Sequence, residues 1–314
     1  QASWSHKCPT YIQRTPPCQG SCPAGEDIRG WLDIVRGIEK PTGDMSMQEY
    51  AFRRATDANP FPSMMGRVCP APCEEGCNRN HVDDFVGINS VEQYIGDTAI
   101  ENGFSYEAGA RTGKKVAVIG GGPAGMAAAY QLRRMGHDAT VFEERAELGG
   151  MMRYGIPGYR IPREKLAAEI NRIVDMGVEV KTNTRVGKDI SADQLEKDVE
   201  AVLWALGCGT GRGLPVDGWE AATNCVDGLT FLEAFNNGRM KVTGKKLICI
   251  GGGDTSIDVV SVARRIGFNA DAGLPEDILL NNETQDQSLA DNAVPCDATL
   301  TSLFTKYKKM AAEH

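Results

Sequence analysis

Nothing in the 314-residue sequence approaches the roughly 18 to 20 consecutive apolar residues that a membrane-spanning helix requires, so a helical membrane span is excluded. Positive charge is also in deficit. Against 42 acidic residues stand 34 Lys and Arg, scattered along the chain, and the formal charge of −8 argues against a surface that tracks nucleic-acid phosphates. The opening residues, QASWSHKCPT, lack the charged-then-apolar layout of a signal peptide, and a cytoplasmic protein is expected. Gln rather than Met in first place is read as a chain trimmed or only partly represented at that end. Two further absences bear on chemistry. The Cys-x2-Cys knuckle usual in structural zinc sites is missing, and no Ser/His/Asp set or carboxylate pair is evident. The reaction is therefore expected to rest on cofactors, and no catalytic side chain is singled out.

With 41% hydrophobic and 24% charged residues, the chain has the mixture of an ordinary globular protein large enough for two or three cores. Six of its ten cysteines, Cys8, Cys18, Cys22, Cys69, Cys73 and Cys77, crowd into the first 80 residues. In a reducing compartment clustered thiols are read first as metal ligands. Cys18-x3-Cys22 and Cys69-x3-Cys73-x3-Cys77 space the thiolates widely, as suits an iron–sulfur cubane whose irons are separate corners, and Pro follows both Cys22 and Cys69. Zinc or free thiols are the alternative reading of that spacing. Cys208, Cys225, Cys249 and Cys296 stand alone and are expected to pack as small hydrophobes, Cys249 within the apolar strand KLICIG.

Three segments follow from the pattern along the chain. Residues 1–110 are rich in Cys and Pro with short helices, Ile28, Leu32, Val35 and Ile38 recurring at helical spacing. Residues 111–240 open with KKVAVIGGGPAGMAAAYQLRRMGHDATVFEE, which reads as strand, glycine turn, helix and strand. Gly120, Gly122 and Gly125, with Pro123 and Ala124 between them, follow the first strand, and Glu143, with Glu144 beside it, ends the second. That context is the full dinucleotide fingerprint: a tight turn, a close approach for pyrophosphate, a helix packed on its strand, and a carboxylate for ribose hydroxyls. EKLAAEINRIVDMG then reads as a helix with Leu166, Ile170 and Ile173 on one face, VEVKTNT as a strand, and AVLWALG as a buried strand. Residues 241–314 repeat the pattern in KKLICIGGGDTSIDVVSVARRIG, where Gly251, Gly252, Gly253, Asp254, Thr255 and Ser256 form a second turn with Ser in place of the third glycine. A polar inserted loop is expected between Gly267 and Pro295, then a strand in ATLTSLF.

PPCQGSCPAG, NPFPSMMGRVCPAPCEEGCNRN and VGINSVEQYIGD resemble the amino-terminal cluster domain of the glutamate synthase small subunit family. The resemblance implies 4Fe–4S clusters, one held by Cys22, Cys69, Cys73 and Gln93, a second by Cys18 and Cys77 with Cys8. The fold it implies is α/β: a helical iron–sulfur amino-terminal domain, then two Rossmann-like dinucleotide-binding domains, for FAD and then NAD(P), the last incomplete because relatives continue past this carboxy terminus. ELGGMMRYGIP resembles the stretch that runs beside the flavin in two-dinucleotide flavoproteins, which makes Gly149, Gly150, Met151, Tyr154, Gly155, Ile156 and Pro157 candidate FAD contacts, and WALGCGTGR resembles the strand that returns to FAD. Relatives that use NADPH carry paired arginines where this chain has Leu303 and Phe304; NAD(H) is therefore expected to be preferred, or shared with NADP(H) through Lys306, Lys308 or Lys309. The activity implied is an NAD(P)H-dependent flavin oxidoreductase that passes electrons to a protein partner. Within the family, the long insert and the amino-terminal segment most resemble the DsrL branch, whose partner is siroheme sulfite reductase. A glutamate synthase small subunit and a non-catalytic iron–sulfur binding module are the alternatives, and the reading admits a homodimer.

Overall fold

The computed structural model describes residues 15–82, 84–211, 213, 218–219, 221–242, 247–268 and 278–280. Cys8, Cys296, the expected strand at 298–304 with Leu303 and Phe304, and Lys306, Lys308 and Lys309 lie outside the described residues. The chain divides into two compact units, 1–105 and 106–314.

The first unit is helical: α1 (Pro17–Ser21), α2 (Ile28–Val35), α3 (Met47–Ala55), α4 (Pro62–Val68), α5 (Pro72–Glu75), a 3-10 turn (Asn78–His81) and α6 (Ile88–Glu101). Helix α2 starts where the Asp27 carboxylate accepts the Gly30 amide at 3.1 Å. It ends in a Schellman turn, with Gly37 at φ +74° and its amide on the Ile34 carbonyl, while the Ile38 amide reaches back to Asp33. That early stop corrects the expected face. Ile28, Trp31 and Ile34 are buried, Leu32 and Val35 only partly, and Ile38 is 61% exposed, because the largest side chain, Trp31, takes the core position and Ile38 falls beyond the helix. Helices α4 and α6 cross at two glycines. A Cβ on Gly66 would lie 2.4 Å from the Gln93 amide nitrogen, and one on Gly96 would lie 2.1 Å from that of Ser63. Arg67 clamps the same crossing with a two-pronged contact to Asp97 at 2.9 and 2.6 Å.

In the second unit, β1 (Lys115–Ile119), α7 (Pro123–Arg134), β2 (Asp138–Phe142), α8 (Gly150–Tyr154), α9 (Arg163–Val174), β3 (Glu179–Lys181), α10 (Ala192–Asp198) and β4 (Ala201–Trp204) come first. The four strands form a parallel sheet in the order β3-β2-β1-β4, and chain order reverses beside β1. Leu166, Ile170 and Ile173 of α9 are buried as the periodicity predicts. AVLWALG departs from its reading as a buried strand. β4 lies at the sheet edge; Val202 packs toward Ala117 and Ile119, while Leu203 is 41% and Trp204 50% exposed. An apolar run reports a capacity to be covered, and coverage depends on what packs alongside.

Helix α11 (Gly228–Asn236), β5 (Met240–Val242), α12 (Asp254–Phe268) and β6 (Ile278–Leu280) complete the description. Asp227 caps α11 by accepting the Leu229 and Thr230 amides. Phe231, Leu232, Met240, Val259, Val262 and Ile266 form the core between α11 and α12, and Cys249 packs on it as expected. Cys208 and Cys225 are exposed instead, because both fall in irregular backbone. Within the expected inserted loop, 278–280 pairs in parallel with β5. The expected strand at KLICIG carries no ladder among the described residues: a strand exists through its partner, and the segment expected to pair with it lies outside them.

Candidate functional site

Three short helices carry the described cysteines of the first unit. Cys18 lies in α1 and Cys22 ends it; Cys69 ends α4, Cys73 lies in α5 and Cys77 follows it. Helices α1 and α5 pack together, with Ser21 Oγ where a Cβ on Gly76 would stand. Burial raises Cys18, Cys69 and Cys73 alike, with other thiols among their neighbours. Burial pushes the Cys73 thiol up to about 12, helped by Cys69 and Cys22. Cys69 is raised by burial, with Glu92, Cys22 and Glu26 adding to it. Cys18 is raised by burial against the opposing Gln19 amide, and its thiol neighbour is Cys77. Cys69 and Cys22 are thus among the charged neighbours of Cys73, and Cys77 among those of Cys18. Among the described residues no three Cys, His, Asp or Glu side chains converge on one metal-ion position. Half-buried thiols held neutral chiefly by burial are a donor set that a cationic iron centre would ionise.

The link between Cys69 and Cys73 holds a strained residue. Ala71, between Pro70 and Pro72, sits at φ 57° and ψ 50°, a left-handed conformation uncommon for a residue with a side chain. Its amide donates to the Cys69 sulfur, and its carbonyl accepts the Glu74 amide at 2.9 Å. Gln93 lies one helical turn after Asn89, whose side chain donates to the Cys69 carbonyl at 2.9 Å and whose amide donates to Glu74. The α4–α6 contact at Gly66 presses the Gln93 backbone against the helix that ends at Cys69. The Gln93 backbone therefore lies against Gly66, three residues before Cys69.

The first glycine turn lies where β1 meets α7, at the reversal of strand order, the usual place for a ligand in such sheets. Its three glycines have different reasons to be glycine. Gly120 has φ +109°, and a Cβ there would be 2.3 Å from the Ala205 carbonyl oxygen; at Gly125 a Cβ would be 1.9 Å from the Gly120 carbonyl oxygen. The fold itself demands those two. Gly122 has an ordinary extended backbone, φ −78° and ψ −175°, and a Cβ there would meet nothing nearer than Gly150 Cα at 3.7 Å. Among the described residues no protein atom requires glycine at that position, whereas a pyrophosphate lying against the amides at the start of α7 would. Pro123 is half-buried and Ala124 exposed beside it.

Glu143 does more than its sequence reading assigned. It is buried, and its two carboxylate oxygens accept the Gly121 amide at 2.7 Å and the Arg145 amide at 2.9 Å, so it fastens the turn while keeping further lone pairs for ribose hydroxyls. Glu144 is exposed. The Gly149 amide donates to the Gly121 carbonyl at 2.8 Å, and Gly150 passes so close to Gly122 that a Cβ on it would be 2.7 Å from Gly122 Cα. The expected flavin stretch is thus folded back over the turn. Met151 is exposed, Tyr154 and Ile156 are half-buried, and Gly155 and Pro157 are buried. Arg163 binds the Met152 and Ile156 carbonyls at 2.8 Å each, and Asn236 binds those of Tyr154 and Ile156 at 2.9 and 3.3 Å. Neither residue carried a local sequence signal, because both act through contacts distant along the chain. At the second turn Gly251 has φ +131°, a Cβ on it would lie 2.7 Å from Ser256 Oγ, and Gly251, Gly252, Gly253, Asp254 and Thr255 are all exposed at the start of α12.

The family model described as pyridine nucleotide-disulphide oxidoreductase matches residues 114–290, and with them both glycine turns. The chain belongs to that family. A second model, described as dihydropyrimidine dehydrogenase domain II, 4Fe-4S cluster, matches residues 3–104, which hold all six clustered cysteines. Over 266 residues the chain is 36% identical to the glutamate synthase (NADPH) small chain of Mycobacterium tuberculosis, covering 80% of this chain and 53% of that protein. It is 37% identical over 263 residues to the NADPH-Fe(3+) oxidoreductase subunit beta of Geobacter sulfurreducens, covering 81% of this chain and 37% of that one. With the glutamate synthase (NADH) of Schizosaccharomyces pombe the identity is 37% over 268 residues, covering 81% and 12%. The chain thus spans about half the length, or less, of these relatives. The resemblance to the glutamate synthase small subunit family is borne out, as are the α/β fold and the cofactor classes, FAD, NAD(P) and a 4Fe–4S cluster. Among the described residues no helix is long and apolar enough to cross a membrane.

Proposed function

We propose that this oxidoreductase is an NAD(P)H-dependent iron–sulfur flavoprotein that passes electrons between NAD(P)(H) and a protein partner. The observation that carries the reading is Gly122, glycine without a protein reason, at the helix start beneath the strand reversal. FAD bound there would supply the chemistry, accepting a hydride equivalent from the nicotinamide coenzyme and releasing electrons singly. The chain's own groups bind and orient: amides at the start of α7 face the pyrophosphate, Glu143 holds the turn and meets the ribose, and the stretch from Gly149 to Pro157 lines the flavin. The exposed second turn and the start of α12 receive the coenzyme's phosphates. Cys22, Cys69, Cys73 and Gln93 would hold one 4Fe–4S cluster, with Cys18, Cys77 and Cys8 assigned to a second.

A protein partner is supported by the company the relatives keep, since two of the three are named as a chain or subunit. The narrower reading, siroheme sulfite reductase as partner, rests on the resemblance of the insert and amino-terminal segment to the DsrL branch. Anaerobic purification with iron, acid-labile sulfide and flavin quantified together, followed by NADH or NADPH addition, tests the whole. Stoichiometric FAD bleached by coenzyme is expected; a protein free of flavin and iron, or one holding zinc alone, would refute it.

A further inference from the structure

The nicotinamide-side helix α12 lays one stripe of side chains on a dipeptide just beyond the flavin stretch. Asp258, Ser261 and Arg265 recur at helical spacing along α12. Arg160 Nη1 donates to Asp258 Oδ2 at 2.7 Å, and Asp258 is 5% exposed. Tyr159 shares a hydrogen bond with Ser261, and the Arg265 guanidinium carbon stands 3.6 Å from the centre of the Tyr159 ring. Asp258 lies four residues, about 6 Å of helix rise, from Asp254 in the second glycine turn. On the other side, only Gly158 separates Tyr159 from Pro157 of the flavin stretch.

From this we infer that Arg160 and Asp258, supported by Tyr159 and Arg265, are positioning residues that set the nicotinamide site against the flavin site for electron-pair transfer. The inference rests on the function proposed above and names residues that neither glycine fingerprint includes. A buried carboxylate engaged by a guanidinium has a narrow range of geometries, and α12 is a rigid rod whose first residues belong to the coenzyme turn. Fixing the rod one turn from its start fixes the coenzyme end. Neither side chain contacts a coenzyme directly; each acts through the element it holds. A reactant displaced by about 1 Å can lose a hundredfold in rate, so loosening this contact should appear in the transfer step before it appears in coenzyme affinity.

The test uses the full chain reconstituted with FAD, mixed rapidly with NADH and with NADPH while the flavin absorbance is followed. Asp258→Asn, nearly the same shape, and Arg160→Gln should each lower the limiting rate of flavin reduction by about tenfold or more. Flavin content, reduction by dithionite and the half-saturating coenzyme concentration should change less than threefold. The reversed pair, Arg160→Asp with Asp258→Arg, should recover most of the rate. Unchanged limiting rates in both single variants, even with a lower melting temperature, would show a purely structural contact and overturn the inference, as would a reversed pair no faster than the singles. If the unsubstituted, FAD-loaded protein is reduced by dithionite but by neither coenzyme, the parent reading fails and takes this one with it.

Discussion

Substituting each glycine of the first turn separates what the fold needs from what a ligand needs. At Gly125 an added methyl would meet the Gly120 carbonyl oxygen at 1.9 Å, and at Gly120 it would meet that of Ala205 at 2.3 Å in a backbone with φ +109°. Backbone strain of that kind is worth about 1–3 kcal/mol, and overpacking adds about as much again. Gly125→Ala and Gly120→Ala should therefore lower the melting temperature of flavin-free protein by several degrees. Gly122→Ala should not. Its φ of −78° and ψ of −175° suit any residue, and the methyl enters open space 3.7 Å from Gly150 Cα. The unfolded-state entropy gain of about 0.4–1 kcal/mol is opposed by the poorer N-cap that Ala makes at the start of α7, so apoprotein stability should change by less than about 1 kcal/mol. The methyl nevertheless occupies the place of the pyrophosphate, and losing one amide-to-phosphate hydrogen bond, about 1.5–3 kcal/mol, weakens FAD binding roughly tenfold to more than a hundredfold. Melting curves of stripped protein and flavin titration read the two effects separately. If Gly122→Ala bound FAD with unaltered affinity, or destabilised the apoprotein as much as Gly125→Ala, the assignment of this turn would be wrong.

Cys69→Ser and Cys73→Ser should each lower iron and sulfide, and the double variant with Cys22→Ser should lose no more than Cys73→Ser alone, because these thiols are proposed to hold one cluster; undiminished iron in the single variants would remove the assignment. Cys18→Ser and Cys77→Ser should affect a different electron paramagnetic resonance signal, and a shared signal would merge the groups. Burial holds the Tyr106 phenol well above its usual range, partly offset by Arg172. The folded state therefore keeps a proton that the unfolded chain begins to release near pH 10, and stability falls as pH rises beyond about that value; Tyr106→Phe should flatten this alkaline limb of the melting temperature, and an unaltered limb would deny the phenol its role. Leu303 and Phe304 cannot supply a guanidinium fork to a 2′-phosphate, so NADH should serve at least as well as NADPH by kcat/KM, and Leu303→Arg with Phe304→Arg should shift the ratio toward NADPH. A tenfold NADPH preference in the unsubstituted enzyme would overturn that argument.

The features legible in the sequence are those whose cause is local. Glycine spacing reports a turn because each glycine answers to atoms a few residues away, as Gly125 does to Gly120, and the period of Leu166, Ile170 and Ile173 reports a helix because a helix repeats within its own turns. Cysteine spacing likewise pointed to a cluster. Spacing alone could not sort the thiols into groups; the division of Cys22 with Cys69 and Cys73, and Cys18 with Cys77, comes from the resemblance, and the structure adds that α1 packs on α5. Tertiary structure also decided that Gly149 and Gly150 fold back on the first turn, that Trp31 rather than Leu32 faces the core, and that β4 stands at an edge. Arg160 and Asp258 are 98 residues apart. A contact between residues that distant leaves no period or motif to read, since its energy depends on two elements meeting in space and on nothing that either sequence segment does alone.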